Sequence, residues 1–428
     1  MMTNQRAHRN PWTWVPSLYF AEGIPYVVVM TVSVIMYKKL GISNADIALY
    51  TSWLYLPWAI KPLWSPVVDM VLTKRLWIIA TQLLISIALM GVAFTTPLSS
   101  FLVLTLTLFA LMAFSSATHD IAADGFYMLG LNEPQQAAFV GIRSTFYRIA
   151  MIAGQGAFVV LAGALEPRMG IPRAWSVTFL AIAALFAVLC LYHRFILPSP
   201  ASDRSTLKDQ SEGLVSEFIH TFSLFFKRKD IWTILLFLLF YRFAEAQLVK
   251  LVSPFLLDPR DRGGLGLTTG EVGIVYGTVG ILALTAGGLL GGYAISKKGL
   301  LWWLWPMVII MHTPDIMFVY LSQFQPANLF FINIAVALEQ FGYGFGFTAY
   351  AMYMIYISQG EHKTAHFAIC TGIMALGMML PGMMSGKIQE LIGYSHFFLW
   401  VMISTIPGFI VAALVKIDPG FGMKKETT

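Results

Sequence analysis

Charge is what this chain of 428 residues has least of: Asp, Glu, Lys and Arg together make up 12% of it. Soluble domains carry about 25%, so a globular protein in water is excluded. The 57% of hydrophobic residues and a mean hydropathy of +0.70 point instead to a membrane protein. Cysteine is scarcer still. Cys190 and Cys370 both stand in apolar runs, which excludes a disulfide framework and zinc-type ligand spacing. No metal and no cofactor is expected. A net charge of +6 would suggest nucleic acid in a soluble chain; here the basic residues gather between apolar runs, where membrane orientation explains them, and no nucleic-acid partner is expected. A cleavable signal peptide is not expected either, because the first apolar run is too long and further runs follow.

What the chain has is a succession of apolar windows of about 20 residues, each long enough to cross a bilayer. They fall near 12–37, 47–70, 76–96, 101–129, 138–164 and 174–194, then near 231–256, 270–295, 300–321, 327–357, 364–391 and 395–416. The expected fold is an all-α polytopic membrane protein with twelve transmembrane helices. Residues 1–196 make an N-terminal six-helix bundle, 197–230 a cytoplasmic linker, and 231–428 a C-terminal six-helix bundle. Within the linker, 198–209 reads as flexible. Leu214, Phe218, Ile219, Phe222 and Phe226 then form an apolar stripe, expected to lie on the membrane surface or to begin span seven early.

The halves repeat. Phe20-Ala21-Glu22 recurs as Phe243-Ala244-Glu245, and Thr73-Lys74-Arg75 as Ser296-Lys297-Lys298, both at an offset of 223 (243 − 20 and 296 − 73). Six spans per half give the two copies the same orientation, the parallel repeat of the major facilitator fold. With both termini cytoplasmic, sixteen lysines and arginines lie on the cytoplasmic face and seven on the other. That asymmetry selects the topology.

Ionisable groups inside the spans are costly and mark function. Asp120 and Asp124 share a helical face with Tyr127, in the run Ser115–Leu129, and His119 stands beside them. Glu22 lies mid-span with Tyr19 and Tyr26 on its face. Lys61 sits among Pro57, Pro62 and Pro66, which kink span two. Asp69, Lys74 and Arg75 suggest a cytoplasmic gate. Arg143, Tyr147 and Arg148 occupy span five, and Arg148 reads equally as a clamp on an anionic substrate or as a structural partner of Asp120 or Asp124. Arg242 and Glu245 are expected to pair in span seven. Glu339, Tyr343 and Tyr350 share a stripe in span ten, where Gly342, Gly344 and Gly346 permit close helix contact or bending. Glu22, Asp120, Asp124, Glu245 and Glu339 are the candidates for proton coupling. Tyr19, Tyr26, Lys61, His119, Arg143, Tyr147, Arg148, Arg242, Tyr343 and Tyr350 are the candidates for substrate binding. The spacing His119-x4-Asp124 also fits the base–orienter pair of some acyltransferases, which leaves a lipid-modifying membrane enzyme as a second class.

The segment with Pro57, Lys61, Leu63, Trp64, Pro66 and Asp69, and the segment Asp120-Ile121-Ala122 with Asp124, resemble motifs of the AmpG-type muropeptide permeases and the related acetyl-coenzyme A transporters. Gly23-Ile24-Pro25 and Tyr147-Arg148 are similar to the permeases' first and fifth spans. His119 departs from the family's glutamine. The resemblance implies a major facilitator fold and, from the permeases, proton-driven import (symport) of anhydro-muropeptides. Separately, the short termini and compact loops suggest a bacterial inner-membrane permease, and a monomer is expected. From the transporters it implies acetyl-coenzyme A or another anionic metabolite.

Overall fold

A computed structural model describes residues 9–204, 220–360 and 362–423, apart from the side chains of Asp69 and Ala137. Among the described residues every regular element is helical. In hydrocarbon a backbone amide finds no water, so each span must satisfy its own hydrogen bonds. Twelve crossings result. They are α1 (Pro11–Lys39), α2 (Asn44–Trp53 and Leu56–Val71), α3 (Lys74–Thr95), α4 (Phe101–Gly130), α5 (Glu133–Met169) and α6 (Ile171–Ile196). Then come α7 (Ile231–Phe240 and Phe243–Leu257), α8 (269–298), α9 (300–324), α10 (Leu329–Ile357), α11 (363–392) and α12 (394–414). Gly299 and Gly393, with φ of 78° and 74°, break the chain between α8 and α9 and between α11 and α12. Only glycine takes that left-handed turn without strain.

Two spans expected to be continuous are split. In α2 the break at Leu54-Tyr55 precedes Pro57, which has no amide to donate. In α7 the break at Tyr241-Arg242 has no proline, and other helices take up its carbonyls. Tyr350 Oη donates to Leu238 O at 2.7 Å, and His312 Nε2 lies 3.3 Å from Tyr241 O. Wide π turns occur at Val28–Val32 in α1, Ile152–Phe158 in α5 and Gly273–Gly280 in α8. Such bulges are frequent near functional sites.

The described chain packs as two units, Met1–Met36 with Ile60–Phe218 and Tyr37–Ala59 with Ile219–Thr428. In the first, Gly23 of α1 faces Ala150 and Tyr147 of α5, and a Cβ on Gly154 of α5 would lie 2.2 Å from Val27. Small residues thus bring α1 and α5 together where both carry polar side chains. In the second, the glycines of α10 serve close contact: a Cβ on Gly344 would lie 2.1 Å from Leu284 O of α8, and one on Gly342 2.4 Å from Ile310 O of α9.

Residues 37–59 group with the C-terminal half for a polar reason. Lys38 Nζ lies 2.7 Å from Asp258 Oδ1. Asn44 donates to Gln389 Oε1 at 2.6 Å, and Tyr394 Oη donates to Asp258 Oδ2 at 2.7 Å. Deeper in, Lys250 Nζ donates to Thr51 Oγ1 at 2.9 Å. Of the stripe expected in the linker, Leu214, Phe218 and Ile219 lie outside the described residues. Residues 220–226 are helical, and Phe225, which the stripe did not include, is fully buried in the C-terminal core.

Candidate functional site

In the first unit, the i, i+4 spacing puts Asp120 and Asp124 on the face of α4 that meets α1, α2 and α5. Each acid finds its own cation. Arg143 Nη2 lies 2.8 Å from Asp124 Oδ1, and Lys61 Nζ lies 3.8 Å from Asp120 Oδ2. Tyr19 Oη also donates to Asp124, at 3.1 Å. The Arg143 guanidinium lies over the rings of Tyr19 and Tyr127, 4.5 and 5.2 Å from their centroids, so two aromatic faces share its charge. Glu22 is close enough to interact electrostatically with Asp124, Asp120, Arg143 and Lys61, and its buried Oε2 has no hydrogen-bond partner among the described residues. Tyr147 neighbours Tyr26, Asp120, Glu22 and Arg148. Residues from four helices thus converge: α1, α2, α4 and α5.

Among the described contacts Arg148 is not paired with either aspartate. Arg143 and Lys61 hold those places, and the polar contact of Arg148 among the described residues is Met151 Sδ, 3.7 Å from its Nη1. The cluster is charge-balanced only with it: Asp120 and Asp124 are matched by Lys61 and Arg143, leaving Glu22 and Arg148 as the remaining opposite charges.

His119 stands apart from this cluster. It is fully buried on the face turned to α3, where its Nε2 lies 3.0 Å from Gln82 Nε2. Gln82 Oε1 accepts from His193 Nδ1 of α6 at 2.9 Å, and His193 Nε2 lies 3.0 Å from Ser17 Oγ of α1. The amide nitrogen can only donate, so His119 Nε2 accepts and the ring is held neutral. One residue of offset from Asp120 is about 100° of helix, which takes His119 off the acid face. Its place is in a chain of buried hydrogen bonds joining four helices.

Lys74 and Arg75 begin α3, and their backbone amides donate to the Asp203 carboxylate at 2.7 and 3.1 Å. A carboxylate at a helix N-terminus complements the macrodipole. The Arg75 side chain donates to the carbonyls of Leu197 and Arg194. The two residues therefore anchor the start of the linker. The side chain of Asp69 lies outside the described set.

In the second unit, Arg242 at the α7 break donates to Tyr343 Oη and lies 4.8 Å from the centroid of the Phe347 ring. Tyr350 is buried in the aromatic core with Phe237 and Tyr241, where its hydroxyl closes the α7 break. Glu245 and Glu339 come together with Asp315, one oxygen of each lying within 4.8 Å of those of the others. Sequence reasoning missed Asp315. The available signal was Thr313-Pro314-Asp315, a proline beside an acid in the middle of an apolar run.

The sequence profile of the Major Facilitator Superfamily matches residues 17–358. A protein named putative transporter AmpG 4, from Rickettsia conorii, is 26% identical over 412 residues, covering 92% of this chain and 94% of that one. The anhydromuropeptide permease of Escherichia coli K12 is 27% identical over 411 residues, covering 93% of this chain and 78% of that one. Among solved structures, the nucleoside transporter NupG superposes with a TM-score of 0.66 at 19% identity, over 94% of this chain and 98% of that one. A D-xylose–proton symporter gives 0.71 at 12% identity, over 96% and 98%. These likenesses support the fold.

Proposed function

Because the chain belongs to the Major Facilitator Superfamily and aligns over nearly its whole length with AmpG-type permeases, we propose that this transporter imports anhydro-muropeptides by symport with protons. It is a multi-pass membrane protein, and the proposed setting is a bacterial inner membrane with both termini cytoplasmic. The observation that carries the proposal is the division of charges in the first unit. Asp120 and Asp124 are paired with Lys61 and Arg143, whereas the described polar contact of Arg148 is a thioether and Glu22 Oε2 accepts no hydrogen bond among the described residues. A guanidinium suits the carboxylates of a sugar–peptide bidentately, and Tyr19, Tyr26 and Tyr147 nearby suit the faces of sugar rings. Glu22 is the proposed proton carrier, with Asp120 its closest functional companion, since a carboxylate in a water-poor path can exchange a proton at neutral pH.

The test is uptake into proteoliposomes. Labelled GlcNAc-anhydroMurNAc-peptide should accumulate when the outside is made acidic and should equilibrate without accumulation when no gradient is imposed. Excess acetyl-coenzyme A should compete poorly. Accumulation of acetyl-coenzyme A instead would transfer the site to the other branch of the resemblance, and chemical turnover without accumulation would revive the acyltransferase class.

A further inference from the structure

The two units treat their buried acids differently. In the first, three acids (Glu22, Asp120 and Asp124) lie among three cations (Lys61, Arg143 and Arg148). In the second, Glu245 of α7, Asp315 of α9 and Glu339 of α10 are 1%, 1% and 0% exposed, and Arg242 is the cation beside Glu245. Three carboxylates against one guanidinium leave two negative charges to be neutralised in the interior, where an uncompensated charge does not persist.

We propose that Glu245, Asp315 and Glu339, with His312, form a binding site for a hard divalent cation. One oxygen from each acid lies within 4.8 Å of the other two. Three atoms at most that far apart share a centre no more than about 2.8 Å from each, so a small inward shift brings all three to the roughly 2.3–2.6 Å of a calcium-type contact. A second observation, outside the acids, also points there. His312 is 2% exposed, and its Nε2 lies 3.3 Å from the carbonyl of Tyr241. A carbonyl only accepts, so Nε2 carries the proton and a neutral ring turns the Nδ1 lone pair to the other side. Nδ1 has no hydrogen-bond partner among the described residues and lies 3.6 Å from Asp315 Oδ2. Both oxygens of Asp315 and Oε1 of Glu245 likewise lack hydrogen bonds, while Gln340 Nε2 holds Glu339 at 3.0 and 3.3 Å. With Nδ1 unprotonated, an ion between ring and carboxylate relieves their repulsion; with Nδ1 protonated, the ring itself pairs with Asp315 and leaves no place for a metal. The remaining groups nearby, Tyr276, Tyr343 and Tyr241, bring hydroxyls and no further formal charge.

The backbone supplies the setting. Glu245 follows the break in α7, and Asp315 ends the short turn Thr313–Asp315 that interrupts α9 beside Pro314. Interrupted helices are where membrane proteins gather groups for an ion. Three carboxylates with one imidazole favour oxygen-seeking divalent ions such as Mn²⁺ over soft metals. A divalent ion also matches the two charges left over when all three acids are ionised and His312 is neutral.

The experiment is Mn²⁺ titration of the purified full-length protein in lipid nanodiscs, followed by electron paramagnetic resonance and by thermal melting. The wild type should bind one Mn²⁺ saturably, displaced by Ca²⁺, with a rise in melting temperature. Asp315→Asn and Glu245→Gln, which keep side-chain shape, should each weaken binding at least 10-fold and abolish the rise. Should either variant fail to fold, His312→Gln provides the same comparison through the nitrogen ligand. Absence of saturable wild-type binding would overturn the proposal and leave the cluster to protons alone. Binding unchanged in all three variants would place the ion elsewhere and overturn it equally. Neither readout requires transport, so the outcome is independent of the substrate reading.

Discussion

Replacing Arg148 by lysine separates substrate recognition from structure in a way no other residue of the first unit allows. Its neighbours Arg143 and Lys61 already engage Asp124 and Asp120, at 2.8 and 3.8 Å. Removing Arg148 therefore leaves both of those ion pairs in place, and the acid then in excess, Glu22, can be relieved by taking up a proton. Its own contact with the Met151 sulfur, at 3.7 Å, is worth little. Arg148→Lys and Arg148→Ala should thus stay within about 0.5 kcal/mol of wild-type stability. Arg143→Ala is the contrast: it loses an ion pair and the cover of two tyrosine rings. The side chains of Arg143 and Asp124 are 30% and 46% exposed, so screening limits the combined cost to about 1–2 kcal/mol.

The effect on substrate is larger. A fork of charge-assisted hydrogen bonds to a carboxylate contributes about 1.5–3 kcal/mol. A point ammonium cannot reproduce the planar fork. Arg148→Lys should raise the KM for uptake about 10- to 100-fold, with melting temperature and yield unchanged. The assay is concentration-dependent uptake in proteoliposomes beside thermal melting of the same preparation. If Arg148→Ala instead melts as low as Arg143→Ala, and adding Asp120→Asn restores both stability and transport, the clamp reasoning is refuted.

Glu22→Gln should abolish pH-driven accumulation while leaving counterflow exchange of substrate near wild type; equal loss of both in paired flux assays would assign Glu22 to binding or folding. Reporter fusions or cysteine labelling should place both termini and residues 197–230 in the cytoplasm, and an external linker would contradict both the charge asymmetry and the parallel repeat. Gly344→Leu should prevent α8 and α10 from meeting, because the first added carbon already falls 2.1 Å from Leu284 O. A cost beyond the roughly 1–3 kcal/mol usual for overpacking is expected, read as loss of monodisperse protein on gel filtration.

The helix count is legible in the sequence because lipid imposes a length and a polarity on each crossing, and both are visible one residue at a time. Close packing by Gly342 and Gly344 is legible for the same reason, since glycine at regular spacing in an apolar run has few other uses. The partners of buried charges are less so. Sequence spacing on α4 joins Asp120 and Asp124, but whether Arg143 or Arg148 meets them depends on the rotation of α5, which the contact of Gly23 and Gly154 with α1 determines. His119 reads as a site residue from adjacency alone, and helical rotation carries it into the chain with Gln82 and His193. Tyr350 reads as a binding-face aromatic, yet its hydroxyl closes the break in α7, and that break has no proline to announce it.

The repeat offset of 223 residues equates Glu22 with Glu245, and the structure gives the pair a shared geometry with opposite electrostatics. Each stands on the first helix of its half, and each lies close to acids of the fourth helix: Asp120 and Asp124 on α4, Glu339 on α10. The cations around them differ. Lys61 and Arg143 supply the first unit from α2 and α5, whereas Asp315 adds a further acid to the second from α9. The first unit thus holds a balanced cluster and the second an acid-rich one. A balanced cluster changes its charge when one group gains a proton or one anion arrives, which suits a site that cycles with substrate. An acid-rich cluster must hold protons or a cation, which suits the ion site proposed for it. If that division holds, Asp315→Asn should leave substrate affinity at the first unit's residues near wild type while altering ion dependence. Arg148→Lys should do the reverse, and the two effects should be independent in the double variant.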